Sequence, residues 1–333
     1  MANQLLRPET IDRLASVVYQ SLAMLAGMEL DLFTPLKDGP MTSGQIAEVL
    51  GARADKLKPL LYALVAAGLL IVEEDFFSNT PEVNHFLVRG GPAYIGGKHR
   101  AMRRRWEGVL KTAETIRTGV PQVLHDFSSI SAEGMESLAR SRETEVIPAV
   151  RDLMARYDFS SYKALLDVGG GAGYLGIAAA EAFPNLQATV VDLSTVTPIA
   201  ERVIAESGSS DRVKVITADV VNEPLKGSFD VAVLRTLIQV LSADQARLAL
   251  SNVGQVLQPG GTIYILGRFI DDSRITPQET VGFNLYFLNI YHEGQAYTES
   301  EHREWLAEAG FVEDFERSTL PDGSGIIRAR KPS

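Results

Sequence analysis

Four of the five residues from 169 to 173 are glycines: Gly169, Gly170, Gly171 and Gly173. Glycine lets the backbone turn tightly and lie close to a ligand, because no Cβ is in the way. An apolar stretch precedes these glycines and a predicted helix follows them, so the N–H groups at the start of that helix face the same ligand. The pattern predicts a binding site for a nucleotide-like ligand.

Three carboxylates accompany this turn. Asp167 lies in the predicted strand before the glycines, Asp192 closes the next strand, and Asp219 follows the third. Residues 171–176 also fit the G-x-G-x-x-G pattern, which leaves a dinucleotide as an alternative ligand. Carboxylates on both sides of the turn repel a pyrophosphate, so they favour a ligand with a positively charged, methionine-type group.

The elements that position these residues follow from the order of apolar segments. From residue 163 onward, short apolar strands alternate with helices, which predicts an α/β fold with a doubly wound, mostly parallel Rossmann-like sheet. The front half has the pattern of a helix–turn–helix with a two-stranded wing. We predict an all-α/winged-helix dimerisation domain over 1–92, a helical connector that contributes to the substrate pocket over 93–160, and the ligand-binding domain over 161–333.

Composition excludes several classes of function. The chain has 333 residues, a net charge of −10, no cysteine and five histidines, none of them at i,i+4 spacing, so we predict no metal site. Acidic residues outnumber basic ones over 41–90, which disfavours the alternative of a winged-helix DNA-binding regulator and any nucleic-acid partner. No apolar run approaches the length of a membrane span, and the N-terminus lacks a signal-peptide pattern, so we expect a cytoplasmic protein without a membrane partner.

The glycine turn with its acids, the "LQPGG" segment and a C-terminal hairpin together resemble a class I S-adenosylmethionine-dependent methyltransferase. The front half resembles the dimerisation domain of the small-molecule O-methyltransferase family, which includes plant phenolic and acetylserotonin O-methyltransferases. The resemblance implies a homodimer that uses S-adenosyl-L-methionine and acts on a small molecule. It also implies a set of cofactor contacts: Asp167, Gly169, Gly171, Gly173, Asp192, Asp219, Val220 and Arg235.

Two positions depart from the family's pattern. The family's general base is a histidine, oriented by a glutamate; here the matching positions hold Gln239 and Ala296. An amide cannot take the proton, so the sequence predicts transfer by proximity to a thioether sulfur, a carbon, a neutral amine or a readily ionised oxygen. One alternative is an O-methyltransferase with a relocated base, for which His292 and Tyr286 are candidates. Another is a repurposed S-adenosylmethionine-binding enzyme of a different reaction type.

Candidate substrate-binding residues come from two segments. A basic run in the connector includes Arg103 and ends at Trp106, and it predicts that an arginine receives an anionic, carboxylated substrate. His125, further along the connector, is a further candidate. Asn289 is predicted to lie on the polar face of a helix whose other face packs in the core.

Overall fold

The computed structural model describes residues 7–96, 102–124, 130–320 and 323–333. The chain divides into two compact units, residues 1–107 and 108–333. The segment predicted as the dimerisation domain lies in the first unit, and the predicted connector falls across both. The predicted boundaries at 92 and 160 stay predictions.

The first unit combines helices with a small antiparallel sheet of strand order β1-β3-β2. Its elements are α1 (Glu9–Glu29), β1 (Met41–Thr42), α2 (Ser43–Leu50), α3 (Ala54–Ala66), β2 (Leu70–Glu73), β3 (Phe76–Asn79), α4 (Pro81–Phe86) and, across its end, α5 (Met102–Val109). Thr42 starts α2 through a capping box, in which its side chain accepts from Gln45 N at 3.3 Å and Gln45 Oε1 accepts from Thr42 N at 2.8 Å. Gly51, with φ 61°, ends that helix.

Helix α1 exposes an unusual amount of apolar surface. Six large apolar side chains are between 45% and 71% exposed: Ile11, Leu14, Val17, Val18, Tyr19 and Leu22. An isolated exposed apolar residue is ordinary, but a continuous set on one helix indicates a surface that another molecule covers.

The second unit is built on a seven-stranded sheet of order β6-β5-β4-β7-β8-β10-β9. Its strands are β4 (Ala164–Val168), β5 (Gln187–Asp192), β6 (Val213–Thr217), β7 (Phe229–Arg235), β8 (Leu257–Gly267), β9 (Glu313–Thr319) and β10 (Gly325–Arg330). Its helices are α6 (Thr112–Thr118), α7 (Ala132–Ser141), α8 (Glu143–Arg156), α9 (Tyr174–Ala182), α10 (Thr197–Glu206), α11 (Ala243–Val256), α12 (Gln278–Ile290) and α13 (Glu299–Glu308).

Strands β6, β5, β4, β7 and β8 are parallel, and β10 and β9 continue the sheet antiparallel. After β6 the chain crosses back and adds β7 on the other side of β4. The strand order therefore reverses between β4 and β7. Ligands of doubly wound sheets bind beyond the carboxyl ends of the strands at such a reversal. The predicted α/β fold with a mostly parallel sheet is confirmed; the winged-helix description of the first unit stays a prediction.

Separate apolar cores cover the two faces of this sheet. One includes Val150 from α8 and Leu175 from α9, and the other includes Leu250 from α11 and Trp305 from α13. Helices on both faces explain why the parallel strands are largely apolar. Within the ranges that the structure describes, no helix combines the length and the apolar character of a membrane span.

Candidate active site

The glycine turn follows β4 directly. Gly169, Gly171 and Gly173 have φ values of 64°, 59° and 82°, a region that side chains with a Cβ rarely adopt. A Cβ on Gly171 would meet nothing within 4 Å, so the turn faces open space there. The backbone can therefore approach a ligand at the N-terminus of α9, as the sequence predicts.

Asp167 is a buried acid beneath this turn, 1% exposed. Its Oδ2 accepts a hydrogen bond from the N–H of Gly176 at 3.3 Å. Burial raises the pKa of Asp167 to about 7, and the Asp192 carboxylate adds to the rise while the Gly176 N–H and the Arg235 guanidinium oppose it. A buried carboxylate so poorly compensated fits a positively charged ligand group.

Asp192, at the end of β5, holds the glycine turn in place. Its Oδ2 accepts from the N–H of Gly171 and its Oδ1 from the N–H of Leu193, both at 2.8 Å. Burial raises the pKa of this carboxyl against the opposing effect of the two N–H groups. The carboxylate has lone pairs left, which can accept from hydroxyl groups of a ligand.

Asp219 and Val220 follow β6 at the same edge of the sheet. Asp219 Oδ1 accepts from the N–H of Val221 at 2.9 Å, and its Oδ2 accepts from the side-chain amide of Asn222 at 2.8 Å. Val220 is buried, 8% exposed. The local turn thus fixes the Asp219 carboxylate.

The segment after β7 packs against the glycine turn. Arg235 is the last residue of β7 and is half-buried, and Thr236 then takes a φ of 55°, which is uncommon for a β-branched residue. A Cβ on Gly169 would lie 3.2 Å from the side chain of Leu237. This strained turn places Leu237 against the glycine turn, and Gln239 follows two residues later.

Gln239 lies in a 3₁₀ turn, Ile238–Val240, with its amide oriented by a backbone group. Its Oε1 accepts from the N–H of Arg268 at 2.9 Å, so the other end of the amide carries two N–H donors. A Cβ on Gly267 would lie 2.9 Å from the same Oε1, so glycine at 267 leaves the room that this orientation needs. Ala296 is fully buried, and its N–H donates to Asn284 Oδ1 at 2.7 Å.

The candidates for a relocated base lie on and after α12. Tyr286 is half-buried, with its ring 5.3 Å from that of Phe283. His292 follows the helix and is exposed. The catalytic roles of Tyr286 and His292 stay predictions.

Asn289 is fully buried instead of lying on a polar face of α12. Its Oδ1 accepts from the Thr115 hydroxyl at 2.7 Å, and its Nδ2 donates to Thr112 Oγ1 at 2.9 Å and to the carbonyl of Leu285 at 2.7 Å. These bonds tie α6 to α12 and use the groups that a substrate would need. They favour a packing role, and substrate binding by Asn289 stays a prediction.

Two of the remaining substrate candidates, Arg103 and Trp106, lie on α5. Arg103 is exposed and pairs with Glu29 at 3.2 Å and with Glu107 at 3.1 Å. Trp106 is half-buried on the same helix, and His125 lies outside the described residues. Because two carboxylates already engage Arg103, it is less suited to receive an anionic substrate than the sequence predicts.

His302, on α13, is a candidate that the sequence reasoning missed. It is 1% exposed, and its Nδ1 lies 2.8 Å from the carbonyl of Thr298. Burial lowers its pKa to about 4, against the opposing effects of the Thr298 carbonyl and the Glu301 carboxylate. The signal was a histidine at helical spacing with the apolar Trp305 and Leu306, which marks a core-facing position.

Comparison with known proteins gives two family matches. The family model of the O-methyltransferase domain matches residues 118–312, and that of the O-methyltransferase dimerisation domain matches residues 13–89. The chain belongs to the O-methyltransferase family. The methyltransferase prediction is confirmed, and the match at the front supports the predicted homodimer.

Two bacterial relatives match this methyltransferase along nearly its whole length. The tetracenomycin polyketide synthesis 8-O-methyl transferase TcmO of Streptomyces glaucescens is 30% identical over 98% of this chain and 97% of its own. The 3-hydroxy-5-methyl-1-naphthoate 3-O-methyltransferase of Streptomyces sahachiroi is 30% identical over 97% of this chain and 95% of its own.

A solved structure agrees in fold. The human N-acetylserotonin methyltransferase in complex with SAM superimposes with a TM-score of 0.79 at 23% identity and covers 100% of both chains. The protein is an S-adenosylmethionine-dependent methyltransferase that acts on small molecules. The dinucleotide alternative is therefore wrong: the Gly171–Gly176 pattern matches by spacing alone, while the acids around it suit the methionine-type ligand.

Proposed function

We propose that this methyltransferase acts on an acceptor that is already nucleophilic when it binds, above all a readily ionised hydroxyl of an aromatic small molecule. The observation that carries the proposal is the hydrogen bond from the Arg268 N–H to Gln239 Oε1. Because Oε1 is already engaged, the other end of the Gln239 amide carries only N–H groups, so Gln239 supplies donors and no proton acceptor. A donor stabilises an oxygen anion, whereas a general base removes the proton from a neutral hydroxyl.

The chemistry requires little of the protein beyond positioning. S-adenosylmethionine, when bound, supplies a methyl group on a positively charged sulfur. General-base help contributes about 10²–10⁴-fold in rate where the acceptor is a neutral hydroxyl. An acceptor that is ionised at neutral pH needs none of it, and alignment of the reacting atoms then supplies the acceleration.

The other titratable groups support an enzyme without a base. His292 is exposed on a loop, and His302 is buried with its pKa lowered to about 4 by desolvation. A group with so low a pKa is a weak proton acceptor at neutral pH. Of the two candidates for a relocated base, His292 is exposed and Tyr286 packs its ring against Phe283.

We further propose that the predicted residues hold the cofactor at the edge of β4, β5 and β6. The carboxylate of Asp167 faces the positive part of the donor, Asp192 accepts from its hydroxyl groups, and Asp219 accepts from the adenine amino group. Gly169, Gly171 and Gly173 allow the close backbone approach, while Val220 and Arg235 complete the site. This arrangement is supported by the burial of Asp167 and by the hydrogen bond between Asp192 and the glycine turn.

Arg268 is a second candidate for the carboxylate of an acidic acceptor. Its guanidinium lies 4.4 Å from the ring centroid of Phe283, and its side chain is 19% exposed. Its ion pair with Glu279 is long, at 3.4 Å. Arg268 thus has hydrogen-bonding capacity to spare next to Gln239, which favours it over the doubly paired Arg103.

The decisive experiment measures methyl transfer from methyl-labelled S-adenosylmethionine to hydroxylated aromatic acceptors of graded pKa, with thioether and carbon acceptors beside them. We expect the pH at half-maximal rate to follow the pKa of each acceptor. Ordinary phenols, with a pKa of about 10, should react slowly at neutral pH. A single midpoint shared by all acceptors would instead indicate a base on the protein, and preferential labelling of a thioether or carbon would replace the ionised hydroxyl as the acceptor. Turnover without S-adenosylhomocysteine would point to a different reaction type.

A further inference from the structure

A small cavity lies between the Gln239 segment and α13. It is partly open to solvent, and its lining includes Thr236, Gln239, Phe269, Tyr297 and His302. The part that the centre of a water molecule can reach is about the size that one bound water needs.

His302 presents a hydrogen-bond acceptor that no described residue uses. The carbonyl of Thr298 can only accept, so the contact at 2.8 Å places the ring hydrogen on Nδ1. In the neutral ring, Nε2 is then an acceptor. It is buried and has no hydrogen-bond partner among the residues that the structure describes. An unpaired buried acceptor is costly, so we expect a bound molecule such as water to supply the donor.

Gln239 presents the matching donor. The Arg268 N–H fixes its Oε1, which leaves its two amide N–H groups for other partners. The cavity therefore has a donor on one wall and an acceptor on another. A water molecule can accept from the first and donate to the second.

We propose that one bound water bridges Nε2 of His302 and the side-chain amide of Gln239, and that His302 thereby positions Gln239 for methyl transfer. The bridge ties down the second end of the Gln239 amide and leaves one N–H for an oxygen of the acceptor. His302 touches neither substrate nor cofactor in this scheme; it is a positioning residue that acts through Gln239. The proposal rests on the proposed function, because that function gives Gln239 its place beside the acceptor.

The bridge itself is testable without any activity. A crystal structure of the S-adenosylhomocysteine complex at a resolution that shows waters should contain one within hydrogen-bond distance of both side chains. Nitrogen NMR of the histidines should show His302 neutral, with its hydrogen on Nδ1. A cavity without water density, or a hydrogen on Nε2, overturns the proposal even if the enzyme transfers methyl groups as proposed.

The positioning role is tested by a double-mutant cycle. His302→Phe keeps an aromatic ring and removes the acceptor, and we expect kcat to fall by about fivefold with the Kd for S-adenosylhomocysteine unchanged. His302→Gln places an oxygen near the former Nε2 and should restore kcat to within about twofold. In a Gln239→Ala background, His302→Phe should have no further effect. Equal losses in both backgrounds would show a structural role only.

A third variant approaches Gln239 from the other side. Gly267→Ala puts a Cβ 2.9 Å from Gln239 Oε1 and displaces the same amide without touching His302. We expect the same loss of kcat as for His302→Phe, and no additional loss when the two are combined. Full activity of Gly267→Ala would contradict the proposal, and circular dichroism verifies that each variant is folded. If no acceptor is methylated at all, the proposed function fails, while the water and the NMR tautomer still decide the bridge.

Discussion

Oδ2 of Asp192 lies 2.8 Å from the backbone N of Gly171, so the end of β5 and the glycine turn after β4 are joined by a charge-assisted hydrogen bond. The carboxylate that is proposed to bind the cofactor is therefore also the group that keeps the turn in shape. Binding and local stability should change together when it is removed.

Replacing this carboxylate tests that coupling. We expect Asp192→Ala to weaken S-adenosylmethionine binding by at least about tenfold and to lower the free energy of unfolding by about 1–3 kcal/mol, because two N–H groups lose their acceptor. Calorimetric titration and urea denaturation measure the two effects. Glu201→Ala, at an exposed site on α10, is the control and should change neither. An Asp192→Ala protein with intact affinity would remove Asp192 from the cofactor site.

Cofactor affinity should depend on pH through Asp167. Its pKa is raised to about 7 by burial, so the carboxyl is neutral below that pH and loses its attraction for a positive sulfur. We expect the affinity for S-adenosylmethionine to rise between pH 6 and 8. Below the pKa of Asp167 the rise should be at most about tenfold per pH unit, because one proton is involved. S-adenosylhomocysteine, whose sulfur is neutral, should show a weaker dependence. Isothermal titration at several pH values measures both, and Asp167→Asn should abolish the difference between the two ligands.

In the enzyme without cofactor, the same pKa shift predicts that the free energy of unfolding falls as pH rises, the opposite direction to the cofactor affinity. The folded pKa is higher than the value of about 4 expected in the unfolded chain, so the unfolded state releases its proton first as pH rises. The contribution of Asp167 to stability is therefore fully present below about pH 4 and is lost as pH rises to about 7. Denaturation of the wild type and of Asp167→Asn across this range should give stabilities that diverge with rising pH, with the variant the more stable. Parallel curves would show that the carboxyl is not perturbed.

The parts of the site that the sequence predicts are those formed by neighbours in the chain. The glycine turn and the acids at the ends of β4, β5 and β6 can be read from apolar strands alternating with helices, because each ligand-facing group directly follows its strand. The orientation of Gln239 could not be predicted, since it depends on a backbone N–H of Arg268 in another strand's loop.

Distant contacts also explain the predictions that the structure does not favour. Asn289 was expected on a polar helix face, but Thr112 and Thr115 of α6, far away in sequence, cover it. The periodicity of α12 shows which residues share a face and does not show what packs against the other one. His302 was missed for the same reason, because its environment comes from Phe269 and Gln239 in other segments.

A histidine and a glutamate, placed at the two positions where the sequence resemblance predicts the family's catalytic pair, should bring no benefit on an ionised acceptor. We expect Gln239→His with Ala296→Glu to leave the rate on such an acceptor unchanged or lower, because no proton remains to be removed and the Gln239 donor is lost. Ala296 is fully buried, so the glutamate also costs stability, by about 1–3 kcal/mol. The single variant Gln239→His, which lacks the buried glutamate, is therefore measured beside the double variant as a control for this loss of stability. A large gain in rate on the preferred acceptor would show that the enzyme lacks a base that it needs.

The choice between two arginines can be made with carboxylated and uncarboxylated versions of one acceptor. We expect Arg268→Met to raise KM for the carboxylated version by about tenfold and to leave the other unchanged, because an ion pair to a charged group is lost. Arg103→Met should affect neither, since Glu29 and Glu107 already occupy that side chain. The reverse result would show that the carboxylate of the acceptor binds to Arg103 on α5, as the basic run in the sequence predicts.

The exposed apolar face of α1 should mediate dimer formation. A charge placed in a covered apolar surface must be desolvated, at a cost of several kcal/mol when it is unpaired. We therefore expect Leu14→Glu, at a position 57% exposed in the single chain, to convert dimer to monomer in light scattering coupled to size-exclusion chromatography. Val312→Glu, at a position 62% exposed in the second unit, is the matched control and should leave the dimer intact. Because Leu14 lies within the segment that matches the dimerisation domain, an unaffected Leu14→Glu dimer would point to another surface of that domain as the interface.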